Sequence, residues 1–114
     1  MTGDPGFDLH PEAAQDILDI WEFIATDNLQ AAGRVRVDIL DAIRGLVTFP
    51  HRGHRRSDLT SRPLRFYRVR DYVIAYAPDE RPLWVIAVLH GRRNPRVLAS
   101  VLRGRERDEE AAAT

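Results

Sequence analysis

A histidine and two arginines follow directly on the most apolar segment of this chain, and they are the residues best placed to do chemistry. The segment Leu83–Leu89 is apolar throughout, and His90, Gly91, Arg92 and Arg93 come next. A strand that is apolar on both faces lies inside a sheet. The residues after it are therefore expected where the sheet meets solvent, on a loop held by a rigid scaffold, which is where binding and catalytic residues concentrate.

These side chains suit the chemistry of phosphodiesters. An imidazole such as that of His90 can move a proton while a ribose 2′-hydroxyl attacks phosphorus. The guanidinium groups of Arg65, Arg68 and Arg93 could stabilise the charge that develops there or hold a phosphate. For His90 we favour the structural alternative, a histidine at the edge of the core that is hydrogen-bonded to backbone. For the arginines, an ion-paired or solvated sheet edge and a site for an acidic segment of a partner both stay open.

Residues 51–63 form a polar, arginine-rich loop. Arg56 and Asp58 are expected to form a structural ion pair in it, because a general base normally has no fixed counter-charge beside it. His51 and His54 are three residues apart, which suits a metal site on a helix, but a loop with no third ligand does not predict one. We expect neither a metal nor a cofactor.

Three tyrosines accompany the predicted strands. Tyr67, Tyr72 and Tyr76 could stack on nucleic acid bases. They alternate with apolar residues, however, and such alternation is typical of strands that pack on a core. We therefore expect them to pack in the sheet, with Tyr76 kept as a candidate contact for a partner.

The charge of the chain is divided along its length, although the total is zero. Residues 1–50 carry a net charge of −6, residues 51–105 carry +9 and residues 106–114 carry −3. All 17 basic residues are arginine, and a GC-rich genome is the simpler explanation for the absence of lysine. The segregation itself predicts one basic face, suited to nucleic acid or to an acidic protein segment.

Length and composition exclude several classes of protein. A chain of 114 residues fits one domain, which we assign to residues 1–105. The absence of cysteine excludes disulfides, thiolate metal sites and a cysteine nucleophile. No apolar run approaches the ~18 residues of a membrane span, and the N-terminal segment lacks the pattern of a signal peptide. We expect a soluble, cytoplasmic protein with no membrane partner.

Periodicity predicts the elements that must position these side chains. A short strand at Phe7–Leu9 is followed by a helix that begins at Pro11. A second helix is capped by Asp27 or Asn28 and ends at Phe49, because a proline follows. Three strands, a short helix and a disordered acidic tail complete the order: Leu64–Val69, Tyr72–Ala77, Leu83–Leu89, Val97–Leu102 and residues 106–114.

This order predicts an α+β fold. The short linker between the helices predicts an antiparallel hairpin, which packs on one face of a twisted, mainly antiparallel sheet and leaves the other face concave. Trp21 on the first helix is expected in the core or between helix and sheet. The acidic residues of that helix are expected to form a solvated face: Asp16, Asp19, Glu22 and Asp27.

Four places in the sequence resemble the RelE/ParE family of toxins from bacterial toxin–antitoxin pairs. The first helix reads PEAAQDILDIWEFIATDN, and the loop from Pro50 to Leu59 has the spacing P-x-x-G-x-x-R-x-D-L. The other two places are the hairpin and the end of the last strand: Arg65 with Tyr72, Ile74 and Tyr76, and Val88-Leu89-His90-Gly91 with Arg93. The four occur in order and at the family's spacing, across about residues 7–100.

The resemblance implies a RelE/ParE-like fold and a toxin that an antitoxin keeps harmless. ParE-like members are described as inhibitors of DNA gyrase that act by binding, whereas RelE-like members cut mRNA on the ribosome. The sequences of the helix that carries Trp21 and of the strand that ends at His90 resemble ParE-like members more than RelE-like members. No tyrosine follows the last strand and no lysine is present, which speaks against the RelE mechanism. Asp71 and Asn94 replace residues that are often glycine and aspartate in the family, and we expect these to be local changes.

Three functions of different classes therefore compete. The leading hypothesis is a ParE-like toxin of a type II toxin–antitoxin system, linked to growth inhibition and plasmid stabilization. It binds DNA gyrase without catalytic residues and is neutralised by a ParD-like antitoxin with an acidic or amphipathic segment. The alternatives are a ribosome-dependent mRNA endoribonuclease with Arg65, His90 and Arg93 in its site, and a small nucleic-acid-binding module. The candidate residues for binding the antitoxin or the target are Arg56, Arg65, Arg68, Tyr76, His90, Arg92 and Arg93.

Overall fold

The helices and strands follow one another in the predicted order. The computed structural model describes the backbone of residues 6–113 and the side chains of residues 6–105. The elements are β1 Phe7–Leu9, α1 Pro11–Ala25, α2 Leu29–Thr48, β2 Arg65–Val69, β3 Tyr72–Ala77, β4 Leu83–His90 and α3 Pro95–Ala113. The predicted α+β fold is confirmed.

Local hydrogen bonds fix where the two long helices begin. The Nδ1 atom of His10 accepts from the N–H of Glu12 at 3.0 Å, and α1 starts at Pro11, whose missing N–H needs no partner there. Of the two predicted caps of α2, Asn28 is the one used, because its Oδ1 accepts from the N–H of Ala31 at 2.9 Å. The predicted apolar stripe of α2 is buried: Ala32, Val35, Ile39, Ile43 and Leu46.

The four strands form one mixed sheet in the order β1-β4-β3-β2. β1 runs parallel to β4, and the other neighbours are antiparallel. Neighbouring residues of β3 point to opposite faces, as the period of two predicts. The core on the hairpin side includes Ile17, Ile39, Ile43, Ile74 and Tyr76. The core on the other side includes Leu59, Phe66, Ala75, Leu98 and Leu102.

The second face of the sheet is covered and is not an open concave surface. Leu98 and Leu102 of α3 pack on it, together with Leu59 from the loop between α2 and β2. α3 extends to Ala113, further than the predicted helix at Val97–Leu102. It therefore includes residues 106–113, which the sequence assigns to a disordered tail, and the disorder of that tail in solution stays a prediction.

A bulge in β4 decides which way its last residues point. The pairing of β4 with β3 shifts between Ala75 and Tyr76, so Ile86 is an extra residue on β4. After Ile86 the side chains of β4 alternate in the opposite sense, so Val88 packs in the core on the hairpin side. His90, two positions further on, lies on the same side. A continuous apolar run has no alternation from which the sequence could have revealed this shift.

Where no strand lies beside β4, side chains form hydrogen bonds with its backbone groups. β1 pairs with β4 only as far as Leu9. Beyond that point the carboxylate of Asp16 accepts from the N–H of Val88 at 2.9 Å, and Arg105 donates to the carbonyl of Ile86 at 2.9 Å. The two side chains also bind each other, with Nη1–Oδ2 at 2.6 Å and Nη2–Oδ1 at 3.0 Å. The prediction that Asp16 belongs to a solvated face is therefore wrong, and its side chain is only 13% exposed.

The β2–β3 hairpin turns through Arg70 and Asp71 without a glycine. Arg70 has a φ of 54°, in the left-handed region that residues with a side chain rarely adopt. Its Nε donates to Oδ2 of Asp38 on α2 at 2.7 Å, and its carbonyl accepts from Nε of Arg68 at 3.1 Å. These contacts tie the tip of the hairpin to α2 and offset the cost of the backbone conformation.

Candidate partner-binding surfaces

One buried phenol holds the loop that follows α2. The hydroxyl of Tyr76 donates to the carbonyl of Pro50 at 2.6 Å and accepts from the N–H of Gly53 at 3.0 Å. Position 53 requires glycine, since a Cβ there would lie 2.6 Å from that hydroxyl oxygen and 2.9 Å from the carbonyl oxygen of Phe66. Tyr76 is 0% exposed, and burial raises its pKa. It therefore fixes the loop and offers no surface to a partner.

Two of the candidate arginines are held by contacts within the same loop. Arg65 donates from Nη1 to the carbonyl of Gly53 at 2.7 Å. Arg56 and Asp58 form the predicted ion pair through two hydrogen bonds, Nε–Oδ1 at 2.8 Å and Nη2–Oδ2 at 2.7 Å. These hydrogen bonds hold the pKa of Asp58 below its usual range and raise the pKa of Arg56. Both side chains of the pair remain partly exposed, so a partner can still reach them.

The histidine at the end of β4 contacts backbone and an aromatic ring. The Nδ1 atom of His90 accepts from the N–H of Arg92 at 3.2 Å, which is the kind of bond that its structural role predicts. Its ring meets that of Tyr72 edge-on, with 5.4 Å between the centroids. Burial and the nearby Asp71 raise the pKa of Tyr72, so its phenol stays protonated at neutral pH.

A surface cleft of about 400 Å³ opens beside this histidine. His90 and Arg93 line it from the end of β4 and the following turn, and Phe23 lines it from α1. The ring of Phe23 is 77% exposed, which is unusual for a large aromatic side chain. Arg92 and Arg93 are exposed as well. Aromatic and arginine side chains are the types that contribute most to protein interfaces.

The residues of the hypothetical nuclease site lie at different ends of the sheet. Arg65 of β2 is opposite Tyr76 of β3, whereas His90 of β4 is opposite Tyr72. These two positions on β3 are about 13 Å apart along the strand, and β2 and β4 are separated by two strand spacings, about 10 Å. Arg93 shares the cleft with His90. The structure thus brings His90 and Arg93 together but keeps both away from Arg65.

At least two arginines of residues 51–105 are engaged in ion pairs within the protein, so not all of them contribute to the basic face that the charge pattern predicts. Arg70 reaches across to Asp38 of α2. Arg105 is buried and bound to Asp16. These two arginines therefore serve separate contacts, one at the tip of the β2–β3 hairpin and one at the free edge of β4, and sequence charge alone could not reveal either contact.

A groove of about 520 Å³ with mainly apolar lining opens between the two helices of the hairpin, beside the end of β1. Leu18 and Trp21 of α1 face Leu40 and Arg36 of α2 across it, and Leu18 is 48% exposed. Trp21 is half-buried in this groove and belongs to neither core, so the prediction that it lies in the core or between helix and sheet is wrong. The groove itself was not predicted. The signal for it was the apolar stripe of α1, which is broader than contact with one sheet requires.

Comparison with known protein families decides what kind of protein this is. The model of the family described as "ParE toxin of type II toxin-antitoxin system, parDE" matches residues 7–95. The chain belongs to the ParE toxin family. The resemblance found in the sequence is confirmed, and membership implies a toxin of a type II toxin–antitoxin system with an antitoxin as its partner. No curated protein gives a significant match.

The loop motif shared with the ParE family has a structural meaning in this chain. Pro50 and Gly53 supply the carbonyl and the N–H that bind Tyr76, and Leu59 anchors the end of the loop in the second core. The departure at Asn94 is a local change, as expected. Its Oδ1 accepts from the N–H of Arg96 at 2.8 Å, which is the capping role that an aspartate would also fill.

The described part of this ParE-family toxin contains no cluster of side chains suited to a metal ion, since no three His, Cys, Asp or Glu side chains are grouped there so that they could hold one. The Nε2 atom of His51 instead lies 3.4 Å from Oδ1 of Asp79. None of the helices in residues 6–113 combines the length and hydrophobicity of a transmembrane segment.

Proposed function

We propose that this toxin stops growth by binding DNA gyrase and that it does so without catalysing a reaction. The observation that carries the proposal is membership of the ParE family, together with the gyrase-binding activity that the resemblance to ParE-like toxins implies. The cognate antitoxin neutralises it by occupying part of its surface.

The geometry of the sheet supports binding over nuclease chemistry. A nuclease needs its proton-transfer group and its charge-stabilising groups within reach of one phosphate. The strand register separates Arg65 from His90 along and across the sheet.

The cleft at the end of β4 is the proposed contact with the target. It combines the exposed ring of Phe23 with the imidazole of His90 and the guanidinium of Arg93. An exposed aromatic anchor beside an unpaired arginine is a favourable arrangement for a protein partner. Of the candidates from the sequence, His90 and Arg93 line this cleft, and Arg92 lies between them in the chain.

The groove on the helical hairpin is the proposed site for the antitoxin. Its walls are mainly apolar, with Leu18, Trp21 and Leu40 accessible, and Arg36 stands at its edge. An amphipathic helix can lay its apolar face into such a groove, and a carboxylate on its polar face can pair with Arg36. This occupant matches the acidic or amphipathic antitoxin segment expected from the sequence.

A supercoiling assay tests the proposed target. Full-length toxin is added to gyrase and relaxed plasmid, and we expect loss of supercoiling that returns when the co-encoded antitoxin is added. The same preparation is added to translating ribosomes, and cleavage of the mRNA is mapped. Cleaved mRNA together with unaffected supercoiling would overturn the proposal in favour of a RelE-like activity.

A pair of matched variants tests the proposed antitoxin groove. Leu18→Glu places a charge in the groove, and we expect it to weaken antitoxin binding by at least tenfold. Leu29→Glu is the control, because Leu29 is 65% exposed at the start of α2 and does not line the groove. Equal losses for the two variants, or no loss for Leu18→Glu, would place the antitoxin elsewhere.

A further inference from the structure

Four arginines near the C-terminal end of the described chain have no carboxylate partner. They are Arg92, Arg93, Arg96 and Arg103. Arg56, Arg70 and Arg105, by contrast, each bind an aspartate at 2.6–2.8 Å. Among the described side chains no ion pair involves any of the four. Four like charges within a short segment repel one another, so the isolated domain gains nothing from this arrangement.

Two of these arginines share the outer face of α3. Arg96 and Arg103 are seven residues apart, which is close to two turns, so they project in nearly the same direction about 10 Å apart along the helix. Leu98 and Leu102 on the opposite side of α3 are buried against the sheet. Ser100 lies between the two arginines on the exposed side and adds a hydroxyl donor. Arg96 and Arg103 are both exposed.

The composition of this face indicates the class of its partner. Protein interfaces derive most of their affinity from apolar and aromatic anchors in a buried centre. Within residues 95–105, the part of α3 whose side chains the structure describes, the outer face offers only Val97 as a large exposed apolar side chain, at its flank and 46% exposed. Guanidinium groups and a hydroxyl with no apolar anchor are the usual contacts to a nucleic acid backbone, where phosphates supply the binding energy.

We infer that the outer face of α3, with the turn before it, binds the phosphate backbone of duplex DNA. The inference goes beyond the binding of gyrase and does not depend on it. The family match ends at residue 95, so it assigns no role to Arg96 or Arg103. Arg93 belongs both to this basic segment and to the cleft at the end of β4. A target bound in the cleft and DNA bound on α3 would therefore lie side by side on the toxin.

Salt-dependent binding of a labelled duplex tests the inference. Full-length toxin is titrated into a 20-base-pair duplex of arbitrary sequence at several salt concentrations, with fluorescence anisotropy as the readout. Each phosphate contact contributes about 0.9 to the slope of log K against log salt. The double variant Arg96→Gln/Arg103→Gln should lower that slope by about 1.8. The loss of affinity between 50 and 200 mM salt should then be about tenfold smaller than for the unaltered chain.

A second double variant controls for total charge. Arg34→Gln/Arg44→Gln removes the same charge from exposed positions on α2 and should leave the slope within about 0.3 of the original. Equal slopes for the two double variants would overturn the inference, because net charge alone would then explain binding. Equal competition by poly-glutamate would also overturn it and indicate an acidic protein partner. Preference for single-stranded RNA over the duplex would count against DNA in favour of an RNA partner.

Discussion

Asp16 of α1 and Arg105 of α3, 89 residues apart in sequence, form a two-point ion pair that completes the free edge of β4. Each side chain also binds a backbone group of that strand, the N–H of Val88 and the carbonyl of Ile86. The side chains are only 13% and 9% exposed. The pair therefore takes the place of a neighbouring strand and links α1, β4 and α3.

Breaking this pair should destabilise the fold strongly. Arg105→Ala leaves the Asp16 carboxylate largely buried without its counter-charge, and we expect the free energy of unfolding to fall by about 3–5 kcal/mol. Denaturant unfolding followed by circular dichroism gives the value. Arg103→Ala, which removes an exposed arginine from the same helix, should change it by less than about 0.5 kcal/mol.

The double variant Asp16→Ala/Arg105→Ala measures the interaction energy between the two side chains, apart from what each contributes alone. It should cost less than the sum of the two single variants, because neither charge is then left alone. Strictly additive costs would mean that the two side chains stabilise the protein independently of each other.

The hydroxyl of Tyr76 should contribute to stability in a way that depends on pH. Burial raises its pKa, so the folded chain holds this proton more tightly than the unfolded chain, whose tyrosine titrates near pH 10. The contribution is complete below about pH 10 and is lost as pH rises through the folded pKa. Unfolding titrations between pH 8 and 12 should show this decline. Tyr76→Phe should reduce it and leave the share of Tyr72, whose pKa is also raised.

The same substitution should cost stability at neutral pH. Tyr76→Phe leaves the carbonyl of Pro50 and the N–H of Gly53 without their hydroxyl partner, at a cost of about 1–3 kcal/mol. Tyr67→Phe is the control, because no hydrogen bond of the Tyr67 hydroxyl occurs among the described residues. Equal effects of the two changes would contradict the role given to Tyr76.

Two glycines should respond in opposite ways to the same substitution. Gly53→Ala brings a methyl group against the Tyr76 hydroxyl and the Phe66 carbonyl, and we expect a loss of about 1–3 kcal/mol. Gly33→Ala on α2 meets nothing within 4 Å and should gain up to about 1 kcal/mol from the higher helix propensity of alanine. Thermal unfolding of both variants measures whether stability falls for Gly53→Ala and rises for Gly33→Ala.

His90→Ala should weaken growth inhibition without abolishing it, because the imidazole is one of several side chains in the proposed target cleft. In the proposed mechanism the imidazole contacts backbone and Tyr72 and transfers no proton. Induction of the variant without antitoxin, with its fold checked by circular dichroism, measures the effect. A general acid or base would cost about 10²–10⁴ in rate when removed. A folded variant that still binds gyrase but has no toxicity would therefore contradict a non-catalytic toxin.

The local features of this protein could be predicted from its sequence. Proline at position 11 and asparagine at position 28 place the starts of α1 and α2 because capping involves residues that are close in sequence. Alternation places Ile74 and Ala75 on opposite faces of β3, because side chains of a strand alternate whatever lies around them. The order of motifs was enough to indicate the toxin family, and the Arg56–Asp58 pair followed from two residues in one loop.

The features that depend on distant parts of the chain could not be predicted in this way, because they follow from how the helices and strands pack. The apolar run of β4 has no alternation, so the extra residue at Ile86 and the direction of His90 follow from pairing with β3. In the sequence, nothing distinguishes Arg105 from the other arginines or Asp16 from the other acidic residues. The topology of the fold brings these two side chains together at the free edge of β4. Periodicity shows which side of a helix or strand is apolar. The packing of the helices and strands determines which distant groups meet on that side.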